Sequence, residues 1–537
     1  MNDFPKTIPD GMAYAAERYG DRVAIYYDGL ALTWNGLNQQ ADSFAKLFCS
    51  FGIHCGAHVA ILSANKPMDI IVFYALQKIG AVTVFLNSRS NANEIEFMLE
   101  HTECEVLICE KGFKSDEFLL MARHFSEKKK RDPRCLNNLK QILFAEDPGT
   151  DLFLSLDKAM ERFNQDGSAD ICAARGSVRP EDTGMILFTS GTTSKPKAVM
   201  LSQQSLMRNA LEGVKAMRIT AEERYCVAVP LFHCFCIITN VLSALHSGGA
   251  LAFGKSLQAK DLLACIERFR CNILNSVPTT LLRMASETES AEYDLSSLRT
   301  GIIGGNRYSL KQYEEIVEKL GYKRLMTSLG MTEATATVTF VGYDDPYDLI
   351  AKTVGRFIPG TEGKIVDIHT GETVPANVVG EICIRGCNVM QGYYHQQDMT
   401  EKTVVDGWLH TGDLGEVDEN GYLTIRGRLK NIIIRGGENI SPVEIEECLM
   451  SRPDVRNAVA VGIPDHYYGE KVCACIILSD GRKGDSEEFK RYCRDHLAKY
   501  KVPEYYLFYD DFPVTASGKI RREELKRSAL GKLQKAD

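Results

Sequence analysis

Between residues 23 and 110, short apolar runs such as "HVAILS", "AVTVFLN" and "CEVLICE" alternate with stretches of helical period such as "PMDIIVFYALQKIG" and "ANEIEFMLEHTE". Runs this short, separated by helices, bury both faces as neighbouring parallel strands with helices packed against them, so the pattern predicts an α/β layer. It pauses at the charged "EKKKRDPR" of 127–134 and at the mixed stretch 164–182, both read as solvated connections. It resumes with the strand "GMILF", a helix after Ser202, and the strands "YCVAVPL", "GALAF", "CNILNSV" and "LRTGIIGG". Each run ends in a loop rich in Gly, Ser, Thr, Pro or Asn, where ligands of open α/β sheets gather.

At 537 residues the chain exceeds what one core of ~250–300 residues fills, so two or more domains are expected. After residue 354 shorter strands and Gly-rich turns, as in "VGRFIPGTEGKIVD" and "GEICIRGCNVMQGYY", predict a β-rich subdomain over about 354–427. From 428 to 537 a small α+β domain is expected, with Ser441 as N-cap, Pro442 at the first helical position and Glu444 closing a capping box. The expected class is therefore α/β: a large N-terminal domain, residues 1–427, with its β-rich subdomain, followed by a small mobile C-terminal domain.

A net charge of −8 gives no chain-wide cationic surface, which argues against nucleic acid as a partner. The N-terminus lacks the apolar core of a signal peptide, and no run approaches the ~20 apolar residues of a membrane span, so no stable membrane insertion and a cytoplasmic location are expected. The 17 cysteines are scattered. The pairs Cys234/Cys236 and Cys473/Cys475 alternate as strand residues do and lack the two-residue gap of a zinc or redox motif, which reads as small apolar core residues in a reducing compartment.

The segment "FTSGTTSKPKAVMLS", Phe188 to Ser202, puts successive amides and hydroxyls in a turn at a strand end, a nest suited to phosphate. The G-x-x-x-x-G-K-[ST] spacing is absent, and Pro196 keeps a helix from running through Lys195 and Lys197. The loop resembles the Thr-Ser-Gly-Thr-Thr-Gly-x-Pro-Lys-Gly signature of adenylate-forming enzymes, the superfamily of acyl-CoA synthetases, peptide-synthetase adenylation domains and luciferases. Further matches follow in order: "PLFH" ending at His233, "GMTE" ending at Glu333, "GEICIRG" from Gly380, "GWLHTGD" ending at Asp413, "GRLKNIIIRGGENISPVEIEE" from Gly427, and "TASGKIRR" containing Lys519. Together they span nearly the whole chain.

The resemblance implies ATP-dependent formation of acyl-AMP and pyrophosphate, then attack by a thiol that expels AMP. It implies that Thr189, Ser190, Gly191, Thr192, Thr193 and Lys197 embrace the β- and γ-phosphates, that Thr332 contacts the α-phosphate, and that Glu333 helps hold Mg²⁺. Asp413, read at a strand end in "HTGDLG", and Arg428 are implied at the ribose, Gly305 and Asn306 at the adenine edge, and Lys519 as the lysine bridging carboxylate and α-phosphate. Lys430 matches the hinge about which the small domain turns. Gly436 and Gly437 would then line the pantetheine tunnel of coenzyme A, and His233 would stand beside the acyl site, with "CFCIITN" behind it lining part of the pocket.

Four departures stand out. Ser194 and Ala198 replace glycines, Leu329 replaces the aromatic that stacks on adenine, and Asn306–Arg307 replace Ala-Pro; Arg307 either points to solvent, or pairs with a phosphate, or pairs with a polar group and so marks a polar or charged acyl substrate. The acid that pairs with an α-ammonium in amino-acid-activating relatives is missing from "FHCFCIIT", so a non-amino-acid carboxylate is expected. The implied enzyme is an AMP-forming carboxylate–CoA ligase whose partners are a small-molecule carboxylate, ATP and CoA; a homo-oligomer is compatible with all of this. Two alternatives stay open: a stand-alone acyl-AMP ligase loading a separate carrier protein, and a catalytically silent relative that binds nucleotide or acyl ligand.

Overall fold

The computed structural model describes residues 4–112, 116–166, 178–189, 195–288, 292–306, 308–436, 438–479, 484–515 and 519–534. Two large sheets dominate the first two-thirds. The eight-stranded sheet runs in the order Gly392–Tyr393, Lys197–Ser202, Thr183–Thr189, Val82–Phe85, His58–Leu62, Val106–Cys109, Gln141–Phe144, Leu154–Ser155. Six of these strands are parallel, from Thr183–Thr189 to Leu154–Ser155, which matches their unbroken apolar character. The seven-stranded sheet runs Arg324–Thr327, Thr300–Ile303, Ile273–Leu274, Arg224–Cys226, Ala250–Ala252, Val23–Tyr27, Leu30–Thr33, parallel except for its last strand. The first strand of the chain thus joins a sheet built mainly from residues two hundred positions downstream.

The helix Pro67–Lys78 is buried on nearly every face, as its all-round apolar sequence requires. Lys78 is tolerated there because its ammonium reaches Asn38 Oδ1 at 2.7 Å and Asp42 Oδ1 at 2.6 Å. One continuous core, with Trp34, Phe48, Phe73, Tyr74 and Tyr225 among its largest members, joins the helices to both sheets.

The β-rich unit pairs Thr361–Val366, Gly380–Gly386, Trp408–Val417 and Val404–Val405, with Leu423–Arg428 against Trp408–Val417. It is stitched back to the eight-stranded sheet by Gly392–Tyr393 on Lys197–Ser202. The C-terminal segment has its own sheet, Glu438–Ile440, Ile433–Arg435, Gly469–Leu478, Val455–Asp465, with Tyr505–Phe508 alongside. Each face of that sheet carries a separate apolar cluster, one with Ile445, Leu449 and Phe489, the other with Phe512, Leu525 and Ala529. Among the described residues, no helix is long and apolar enough to cross a membrane.

Four expectations are corrected. Cys234–Cys236 is a helical turn rather than strand, because the His233 side chain caps it by accepting the Phe235 N–H. Residues 127–131 of the expected charged connection finish the helix Glu117–Arg131, where four cations favour the carbonyl end. The capping box at Ser441 is absent: Ser441 is the N-cap and Pro442 opens the helix, but Ser441 Oγ donates to Arg426 O at 2.6 Å. Glu444 is engaged instead by Lys501. The fourth concerns Asp413, expected at a strand end; it lies inside Trp408–Val417, at an irregularity in the pairing.

Candidate active site

The two lysines of the Ser/Thr-rich loop emerge at the start of a strand. Thr183–Thr189 and Lys197–Ser202 are antiparallel neighbours with Thr189 opposite Lys197; Ser190, Gly191, Thr192 and Thr193 lie outside the described residues. Lys197 Nζ sits 4.8 Å from the centroid of the Tyr393 ring, and Lys195 Nζ 4.9 Å from that of Phe97. Tyr393 lies in the two-residue strand that stitches the β-rich unit to Lys197–Ser202, which is why a residue almost two hundred positions away meets the loop.

The Tyr393 hydroxyl donates to Glu333 Oε1 at 3.1 Å. Glu333 belongs to the tight turn Thr332–Ala334, followed by Thr335 and Ala336 at φ of 51° and 69°. Such angles are costly for residues with a Cβ, and the surroundings hold them. Thr335 Oγ1 donates to Asn388 O at 2.7 Å, and Met390 N–H donates to Glu333 O at 2.8 Å. On the other side, Thr332 Oγ1 is 3.5 Å from Cys234 Sγ, which lies 3.8 Å from His233 Nδ1. His233, the cap of a helical turn, and Thr332, just after the strand Gly330–Met331, are thereby joined through a cysteine.

His233 Nδ1 accepts the Phe235 N–H at 3.2 Å, which leaves the ring proton on Nε2. Burial, and next the Lys519 ammonium, push its pKa down to about 3, so the imidazole is neutral at physiological pH. Lys519 is held by a turn in which Thr515 N–H donates to Lys519 O at 2.6 Å and Lys519 N–H to Thr515 Oγ1 at 3.0 Å. Lys519 is half-buried as a residue, and its surroundings desolvate the ammonium. Burial lowers its pKa most, Arg428 lowers it further, and Cys234, Asp413 and Glu333 oppose the fall. The C-terminal segment therefore delivers Lys519 among residues of the large unit.

Asp413 and Arg428 face each other on paired strands, with Arg428 Nε 2.6 Å from Asp413 Oδ1. Burial raises the Asp413 pKa, against the opposing pull of Arg428. Lys197, Arg428 and Lys519 thus meet Glu333 and Asp413, an arrangement with cationic charge to spare for an anion.

Other expected residues border this centre less directly. Gly305, at φ +81°, follows the strand Thr300–Ile303, and a Cβ there would lie 3.3 Å from Val277 Cγ1. Asn306 is half-buried next to it, and Arg307 and Ser194 lie outside the described residues. Lys430 sits in the turn Leu429–Asn431 between the β-rich unit and the C-terminal sheet, its pKa lowered by burial and then by Arg428. Gly436, at φ +60°, donates its N–H to Tyr468 O at 2.8 Å; Gly437 lies outside the described residues. Ala198 is fully buried in its strand, and Leu329 packs on the main core.

Sequence reading missed Tyr393 as a member of this centre, and it named Cys234 only as pocket lining within "CFCIITN" and not as the link between His233 and Thr332. Their only local signal is a tyrosine after Gly392 and a cysteine after His233, and neither is informative without the fold.

Comparison with known proteins shows the family. The family described as AMP-binding enzyme matches residues 12–394, and its AMP-binding enzyme C-terminal domain matches residues 444–519. The chain is 34% identical to YngI of Bacillus subtilis (strain 168), provisionally named an acyl-CoA synthetase, over 98% of this chain and 97% of that protein. It is 33% identical to the mitochondrial medium-chain acyl-CoA ligase ACSF2 of Danio rerio, over 97% of this chain and 88% of the relative. Among solved structures, the o-succinylbenzoate CoA synthetase MenE of Bacillus subtilis, in complex with its acyl-adenylate intermediate OSB-AMP, superposes with a TM-score of 0.80 at 26% identity, covering 96% of this chain and 98% of that one. With both family regions matched and the relatives aligned end to end, the chain belongs to the AMP-binding enzyme family of adenylate-forming enzymes and is an AMP-forming carboxylate–CoA ligase.

Proposed function

We propose that Lys519, Thr332, Glu333 and His233 carry the chemistry of this ligase, with the loop from Thr189 to Lys197 on the β- and γ-phosphates and Asp413 and Arg428 at the ribose. The observation that carries the reading is the enclosure of the Lys519 ammonium among Arg428, Asp413, Glu333 and Cys234. In the first half-reaction a carboxylate oxygen attacks the α-phosphorus, the bond to the bridging oxygen breaks, and pyrophosphate leaves. Charge grows on the α-phosphate oxygens, and Lys519 and the Thr332 hydroxyl stand where fixed donors stabilise it. In the second, a thiol sulfur attacks the acyl carbon and AMP departs.

The donor set at Glu333 fits magnesium. It is a hard carboxylate beside the Tyr393 hydroxyl, oxygen donors of the kind magnesium takes together with phosphates. Glu333 would hold the ion, which supplies charge neutralisation on the leaving pyrophosphate. Tyr393 orients that carboxylate, and Lys197 adds a second cation.

The division into residues 1–427 and 428–537, with Lys430 at the hinge, follows from the same need. Lys519 serves adenylation from the C-terminal segment, and a turn about Lys430 then lets Gly436 and Gly437 line the path of the coenzyme A thiol. For the acyl group we favour an apolar carboxylate. Cys234, Cys236, Ile237 and Ile238 are buried behind His233 and carry no acid to receive an ammonium. The helix widens there into a π turn, Ile237–Leu242, and Asn275 Nδ2 donates to Thr239 O at 3.1 Å and to Asn240 Oδ1 at 2.7 Å. Pyrophosphate exchange into ATP over a series of fatty and aryl carboxylates tests adenylation, and acyl-dependent consumption of CoA tests thioester formation. Exchange without CoA consumption would instead favour loading of a carrier protein.

A further inference from the structure

On the face of the β-rich sheet beside Asp413, an irregularity in strand pairing gathers three side chains of different chemistry. Glu381 pairs with Leu414 and Cys383 with His410, so between these pairs Ile382 alone on one strand is set against Thr411, Gly412 and Asp413 on the other. Such bulges re-aim side chains. Here His410 Nδ1 comes to lie 2.8 Å from Glu381 Oε2 and 3.4 Å from Cys383 Sγ. The three ligand atoms all fall within 4.8 Å of one another. Cys383 is fully buried, while the side chains of Glu381 and His410 are 13% and 33% exposed, so the group is open on one side.

Both Cys383 and Glu381 address the same ring nitrogen. A proton relay needs its two partners on opposite nitrogens, so the arrangement does not read as a nucleophile with its base. It does read as a metal cradle. Tetrahedral zinc, with bonds of ~2.3 Å to sulfur and ~2.0–2.2 Å to nitrogen and oxygen, sets its ligand atoms about 3.4–3.6 Å apart. The Nδ1 to Sγ separation already meets this, and the Nδ1 to Oε2 separation needs about half an ångström of opening. One imidazole, one thiolate and one carboxylate, with a fourth position facing solvent, is a set that suits zinc better than magnesium or calcium.

We propose that Glu381, Cys383 and His410 form a zinc-class transition-metal site that modulates the ATP site. The coupling runs through Glu381. Its other oxygen, Oε1, accepts the Gly412 N–H at 3.0 Å, and Gly412 immediately precedes Asp413. An ion that pushes the Glu381 carboxylate away from His410 Nδ1 by that half ångström disturbs the bulge that positions Asp413. Ion uptake balances as follows: the Cys383 thiol, held up to about 12 by burial and then by Glu381, releases its proton to solvent as sulfur binds. The His410 Nδ1 proton relocates to Nε2. Metal binding stands by itself; its effect on ATP rests on the placement of Asp413 at the ribose.

The experiment uses the full-length protein after chelator treatment. Cobalt(II) added alone should produce a thiolate-to-cobalt charge-transfer band that one equivalent of zinc abolishes, with about one proton released per ion. Cys383→Ser should lose the band, as should His410→Gln, which serves if the serine variant fails to fold. In pyrophosphate exchange at fixed magnesium, zinc should raise the KM for ATP severalfold in the parent protein and leave it unchanged in Cys383→Ser. A missing band, or one that survives Cys383→Ser and vanishes with Cys226→Ser, which breaks the buried trio Cys226, Cys265 and Cys271 whose sulfurs also lie within 4.8 Å of one another, overturns the site. An ATP KM indifferent to saturating zinc overturns the coupling, whereas a protein that binds cobalt yet catalyses no exchange indicts the active-site reading instead.

Discussion

The carboxylate of Asp413 is clasped by the guanidinium of Arg428 across two paired strands, Nε to Oδ1 at 2.6 Å and Nη2 to Oδ2 at 3.4 Å. Asp413 keeps only 5% of its side-chain exposure, Arg428 46%. Removing the arginine strands a buried carboxylate, though the exposure of its partner keeps the cost to about 1–2 kcal/mol. Arg428→Ala should therefore lower the melting temperature and raise the KM for ATP by about tenfold, the worth of one charge-assisted hydrogen bond. Adding Asp413→Asn should restore the melting temperature and leave the KM high. A double variant as unstable as Arg428→Ala would mean that the pair is not held as a buried charge and its counterion.

The enclosure of Lys519 separates the two half-reactions. Lys519→Ala should cut pyrophosphate exchange by about a hundredfold or more, the scale of losing a positioned charge at a developing anion. Thioester formation from supplied acyl-AMP should fall far less. Because burial, and secondarily Arg428, lower the Lys519 pKa, its ammonium is present below that value and lost as pH rises through it. The basic limb of the exchange profile should accordingly lie below the ordinary lysine range, and Lys519→Arg should move it upward. Equal losses in both half-reactions would remove the case for a C-terminal segment that turns between two positions.

The layered α/β architecture was legible because strands such as Val106–Cys109 and helices such as Ala92–His101 carry patterns that only one arrangement satisfies. The long-range partners were not. Nothing near Val23 announces that its strand will pair with Ala250–Ala252, since parallel pairing leaves no local mark. Lys519, Thr332, Glu333 and Asp413 were nameable through their motifs, but Tyr393 had no motif and reached Glu333 only through a two-residue strand. Local grammar also misled where tertiary contacts competed: Ser441 gave up its cap to bind the Arg426 carbonyl. Likewise a cysteine alternation at 234–236 became helix once His233 supplied the cap.

Tyr393 links a cation to a carboxylate, its ring under Lys197 and its hydroxyl on Glu333. Burial, and next Glu333, raise its pKa, so the phenol remains a donor throughout the neutral range. Tyr393→Phe keeps the ring and deletes the donor. The KM for magnesium–ATP should rise about five- to tenfold, in line with ~1–1.5 kcal/mol for one hydrogen bond. Tyr393→Leu, which also removes the ring face under the ammonium, should do worse. Identical kinetics for Tyr393→Phe and the parent would show that Glu333 needs no orienting partner.

His233 stays neutral down to about pH 3, since burial and then Lys519 disfavour its charged form. In an unfolded chain an imidazole takes up a proton near pH 6.5, so between those values the unfolded state binds the proton that the native state refuses. Stability from this residue is complete above about 6.5 and is lost as pH falls toward 3, by at most about 1.4 kcal/mol per pH unit. Asparagine retains an N-cap acceptor for the Phe235 N–H without a titrating group. His233→Asn should thus lose less melting temperature than the parent between pH 7 and pH 5, while the acid limb of pyrophosphate exchange stays in place. An acid limb that shifts on this substitution would mean that His233 protonates within the working range, and with it the picture of a neutral imidazole presenting Nε2–H to the acyl site would fail.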